Sequence, residues 1–117
     1  MMVNIKMKKI TISILDPSIK RILGGNVEVT IDDDGDFLDA IAKLDEHYWK
    51  KPFRAKRGEI EIVSILQFIW DARENKIFDD VGIESRDASN KWLPVKENPF
   101  MSLPNGTTLL VTPDAGC

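Results

Sequence analysis

The chain has 117 residues, 16 basic and 19 acidic, for a formal net charge of −3, with 43% hydrophobic and 30% charged side chains. That balance suits one soluble domain with a real core and disfavours nucleic acid as a partner. Its single cysteine excludes an intramolecular disulfide and a cysteine-based zinc site, which points to a reducing, cytoplasmic setting.

No apolar run approaches the ~20 residues of a membrane span, and the opening residues Met1 to Lys6 lack the apolar core of a secretory signal. From Lys9 to Leu15, Ile10, Ile12 and Ile14 alternate with Thr11 and Ser13, a period of two that predicts a strand with one buried face. Asp16-Pro17-Ser18 breaks it and Gly24-Gly25-Asn26 gives a second turn signal, with Ile19, Ile22 and Leu23 between them as core-capping or exposed residues. Val27, Val29 and Ile31 then alternate with Glu28 and Thr30, so an antiparallel N-terminal hairpin is expected.

Asp32-Asp33-Asp34-Gly35-Asp36 invites comparison with a calcium loop, but Ile41 stands where the closing glutamate would be. Capping of the next helix by Asp34 or Asp36 is the better reading, and no metal is expected. Phe37, Ile41, Leu44 and Tyr48 form one apolar stripe at helical spacing, with His47 off it as a surface or boundary residue. Lys50, Lys51, Arg54, Lys56 and Arg57 surround Pro52 as a basic, solvated run. Ile62, Ile65, Leu66 and Ile69 keep spacings of three and four up to Trp70, so a second helix is favoured over a strand at Ile60 to Leu66. Val81 to Val95 reads as a hairpin, Ile83 to Arg86 against Lys91 to Val95, about the turn Asp87-Ala88-Ser89-Asn90. Asn98 to Ser102 forms an irregular crossing segment.

The last fifteen residues organise the rest. Asn105-Gly106 is a turn signal, Thr107 to Thr112 an apolar, β-branched strand, and Pro113 ends its ladder. Asp114-Ala115-Gly116-Cys117 then forms a slender tail. This ending, with the order strand, strand, helix, strand, short strand, crossing loop, strand, resembles the ubiquitin-like β-grasp family of protein modifiers and prokaryotic sulfur carriers. It departs from the family's Gly-Gly at the last position, where Cys117 stands. The resemblance implies an α+β, β-grasp fold over residues 1–113, enlarged by a helical segment after the first helix, and a flexible tail at residues 114–117.

It also implies a function. The terminal carboxylate would be adenylated by an E1-like enzyme using ATP, then passed to an E2-like enzyme or a target protein. Gly116 and Cys117 would be the activation or conjugation end, and Pro113, Asp114 and Ala115 the part that threads the activating enzyme. The chain itself would bind no cofactor. Three readings of Cys117 stay open: it carries the activated carboxylate, a processing peptidase trims it to expose Gly116, or its thiol is the working group. A sulfur carrier ending in a thiocarboxylate and a non-covalent β-grasp binding module are the alternatives. An enzyme is not expected, because the sequence offers no nucleophile–base pair, phosphate loop or ligand cluster.

Overall fold

Alternation of branched apolar and polar residues builds the sheet. In β1 (Met7–Ile14), Lys8, Ile10, Ile12 and Ile14 point inward; in β2 (Val27–Asp32), Val27, Val29 and Ile31 do so. The two pair antiparallel, as the alternation predicts, with Ile10 opposite Val29 and Ile12 opposite Val27. The computed structural model describes residues 6–16, 23–48, 55–57, 60–62 and 64–112. Of the three apolar residues between the first two turn signals, read as core-capping or exposed, Leu23 is buried; Ile19 and Ile22 lie outside the described residues.

Asp36 starts the helix α1 (Phe37–Tyr48) through a reciprocal cap. The Asp36 carboxylate accepts from the Asp39 N–H and the Asp39 carboxylate accepts from the Asp36 N–H, both at 3.0 Å. The stripe Phe37, Ala40, Ile41 and Leu44 is fully buried against the inner face of the sheet. Phe37, Ile41 and Leu44 each contribute about 1.5–3 kcal/mol by leaving water.

Beyond α1 come two short strands, β3 (Ala55–Arg57) and β4 (Ile60–Ile62), paired antiparallel with each other. The helix expected from Ile62 is therefore shorter than its spacing suggested. The β-branched residues at 60 and 62 go to a strand. Ser64 opens the helix, its hydroxyl accepting from the Gln67 N–H, and α2 spans only Ile65–Ile69. Trp70 is already extended, at φ −103° and ψ 125°, and enters a small hairpin, β5 (Trp70–Asp71) with β6 (Lys76–Ile77). Asn75, at φ 56°, closes its turn.

β7 (Gly82–Arg86) and β8 (Thr108–Thr112) complete a four-stranded mixed sheet in the order β2-β1-β8-β7. The expected strand Lys91 to Val95 is reduced to a single bridge between Trp92 and Arg86. The turn at Asp87 forms as predicted, its carboxylate accepting from the Ser89 and Lys91 N–H groups. That bridge consists of the Asp87 N–H on the Lys91 carbonyl and the Leu93 N–H on the Ser85 carbonyl; beyond it the Val95 N–H turns back onto the Leu93 carbonyl at 2.9 Å, across Pro94, and the pairing stops. With its helix gripped by a sheet whose two central strands run parallel, this is a β-grasp domain.

Candidate functional site

The strand that carries the chain toward its C-terminal residues sits at the centre of the sheet. β8 runs parallel to β1, with Thr11 opposite Thr108 and Ile14 opposite Val111, and antiparallel to β7, with Gly82 opposite Thr112. Leu109 and Val111 are fully buried, whereas Thr108, Leu110 and Thr112 face the outer side. The entry to the strand is sewn onto β1. The Asn105 side chain accepts from the Lys9 N–H at 2.8 Å, and the Gly106 N–H donates to the Lys9 carbonyl at 2.9 Å.

Gly106 adopts φ +84°, and a Cβ there would lie 3.0 Å from the Ala88 side chain. Backbone strain and this close approach combine, so Gly106→Ala is expected to cost about 1–2 kcal/mol, read by urea unfolding.

At its far end β8 is held on both flanks. The Leu15 N–H donates to the Val111 carbonyl at 2.8 Å. Val111 and Thr107 direct their carbonyls toward β1, so Thr108, Leu110 and Thr112 direct their main-chain groups toward β7. Gly82 and Thr112 are thus a hydrogen-bonded rung, the last described rung of the strand. Pro113, Asp114, Ala115, Gly116 and Cys117, the residues singled out in the sequence, lie outside the described residues.

The outer face of the sheet beside this strand carries an open depression of about 520 Å³, lined among others by Ser13, Glu84, Arg86, Asn90, Thr108 and Leu110. It is polar. The Arg86 guanidinium pairs with the Glu84 carboxylate at 3.2 Å and donates to the Asn90 carbonyl at 3.2 Å. Such a face can present hydrogen bonds to a partner.

Three polar side chains that brace this frame had no signature in the sequence. Both Asp45 carboxylate oxygens accept main-chain N–H groups at the start of α2, from Ile65 at 2.6 Å and Leu66 at 3.0 Å. Burial pushes the Asp45 carboxyl up, against the pull of those two donors. Lys8, only 2% exposed, reaches the Asp33 carbonyl at 2.7 Å and the Ser102 hydroxyl at 3.1 Å. Lys96 donates to three main-chain carbonyls, of Phe78 (3.0 Å), Asp79 (3.3 Å) and Val81.

Of the acidic run before α1, Asp36 is the residue spent on capping. Asp36 is drawn up chiefly by burial, with the Asp39 carboxylate also raising it and the main-chain N–H of Asp39 opposing. Among the described residues no group of three or more His, Cys, Asp or Glu side chains is arranged to hold a metal ion. His47 is exposed near the end of α1. The side chains of the basic run from Lys50 to Arg57 lie outside the described residues. Among the described residues no helix is long and apolar enough to cross a membrane.

The chain matches no protein-family model and no curated protein. Among solved structures it is similar to the solution structure of the Haloferax volcanii HVO 2177 protein, with a TM-score of 0.59 and 13% identity over 92% of this chain and 84% of that one. At that identity the two share a fold, the β-grasp arrangement described above.

Proposed function

We propose that this chain is a ubiquitin-like protein modifier, consumed at its own carboxyl end, and a substrate rather than an enzyme. The observation that supports this reading is the place of β8. A central strand, gripped by β1 on one side and β7 on the other, ends at Thr112, the residue before Pro113 in the sequence. A rigid domain ahead of a narrow peptide is what an adenylating partner needs, because it must bring a carboxylate to ATP while excluding water.

In the proposed chemistry an E1-like enzyme supplies ATP. The carboxylate oxygen of Cys117, or of Gly116 after trimming by a peptidase, attacks the α-phosphorus, forming the acyl-adenylate and releasing pyrophosphate. A thiol of the E1-like or an E2-like enzyme then attacks the acyl carbon and AMP leaves. An amine of the target displaces that thiol and completes the isopeptide bond. Ala115 and Gly116 keep the threaded peptide slender, and the domain contributes binding energy remote from the reacting atoms. The domain functions in the cytoplasm and carries no bound cofactor.

The sulfur-carrier alternative shares the first step and differs in the second: a persulfide on a donor protein attacks the acyl carbon, AMP leaves, and a second thiol cleaves the resulting acyl disulfide, forming a disulfide with the donor and releasing the thiocarboxylate. Incubation with the E1-like enzyme of the source organism and ATP, followed by intact-mass analysis, separates the two. Adducts with protein masses are expected. A sulfur-for-oxygen mass increment would instead mark a carrier, and an unchanged mass would exclude both.

A further inference from the structure

The Lys96 ammonium ends in a ring of three main-chain carbonyls, those of Phe78, Asp79 and Val81. An ammonium has three donors, so these carbonyls match its full capacity. They belong to one turn, closed by the Val81 N–H donating to the Phe78 carbonyl at 3.0 Å and tied to the end of α2 by the Phe78 N–H on the Ile69 carbonyl at 3.0 Å. Without the cation these oxygens would crowd one another across the turn, and those of Asp79 and Val81 would lose the ammonium as a donor. The turn runs directly into Gly82, whose rung with Thr112 is the last described one of β8. Gly82 has no side chain to anchor it, so the position of that rung depends on the main chain of Val81, which is fully buried.

We propose that Lys96 is a positioning residue for the end of β8: by drawing three carbonyls onto one charge it locks the turn at 78–81, and with it the Gly82–Thr112 rung, the last described rung of that strand. This inference rests on the reading of β8 as the strand that presents a reactive end. Lysine suits the task where arginine does not, because a planar fork cannot converge on a single point between three oxygens. Lys76, paired with Asp79 at 2.9 Å, lies at the mouth of the same turn but uses the carboxylate, leaving the carbonyls to Lys96.

Amide hydrogen exchange on the full chain tests this, because it reads the strand end with no partner present. In Lys96→Met the Gly82 and Thr112 amides should exchange about tenfold faster, while those of Ile10 and Ile12 stay within about twofold of the parent. Lys96→Arg should accelerate the same two amides, and n-butylammonium added to Lys96→Ala should restore protection where n-butanol does not. Unchanged exchange at Gly82 and Thr112 would overturn the proposal. So would an equal acceleration at Ile10 and Ile12, which would mark ordinary loss of stability. Either result leaves the activation chemistry to be judged by its own assay.

Discussion

Asp45→Ala should lower the unfolding free energy by about 2–3 kcal/mol in urea denaturation, a large loss for one half-buried side chain. The reason is the length of α2. A five-residue helix has almost no internal hydrogen bonding, so the donors of its first turn need outside partners. Ser64 serves Gln67, and Asp45 alone serves both Ile65 and Leu66. Without it two N–H groups are stranded beside the core residues Ile65, Phe68 and Ile69. Asp45→Asn keeps one acceptor and turns a donor toward the other N–H, so it should lose about half as much.

The pH dependence of the parent protein follows from the same carboxyl. Burial raises its folded value above the ordinary 3.8, so the folded chain takes up this proton more readily than the unfolded one. The Asp45 contribution to stability therefore grows as the pH falls through the raised folded value toward 3.8, and is flat below both. The gap between parent and Asp45→Ala should widen over that window. A gap that narrows there would mean the two N–H donors outweigh burial.

Lys8 gives the second large effect, and a sharper contrast. Its stem lies in the inner face of the sheet in line with Ile10, Ile12 and Ile14. Lys8→Ala removes that packing and should cost about 3 kcal/mol. Lys8→Met keeps most of the stem and removes the nitrogen. Its hydrogen bonds go to a carbonyl and a hydroxyl, not to a carboxylate, and the Ser102 hydroxyl lies 3.5 Å from the Asp33 carbonyl, close enough to replace one of them. Loss of those bonds and relief from burying the amine then nearly offset, so Met should fall within about 1 kcal/mol of the parent. Equal losses for Ala and Met would show that the hydrogen bonds, not the stem, dominate.

Alternation and helical spacing report on which face of a long element is buried, and they made β1, β2, α1 and β8 legible before any coordinates. Asn105-Gly106 was readable for a similar local reason: a positive φ at Gly106 and a side-chain acceptor at Asn105. The segment from Ile60 to Ile77 was harder. Ile62, Ile65 and Ile69 satisfy helical spacing although the first belongs to β4, because its pairing with Ala55–Arg57 leaves no mark in that spacing. Trp92 looked like part of a full strand, yet Pro94 and the turn at Asp87 leave it one bridge. Asp45, Lys8 and Lys96 were not legible at all. Each serves main-chain groups 15 to 25 positions away, and no spacing rule announces such partners.

The central claim is that reactivity resides in the carboxyl end and not in the domain. The most direct measurement is ATP–pyrophosphate exchange by the E1-like enzyme of the source organism, with the full chain compared with a chain ending at Pro113. Exchange that depends on the full chain and falls to background with the shortened one is the expected result. Exchange that persists at the same rate after Asp114 to Cys117 are removed would contradict it.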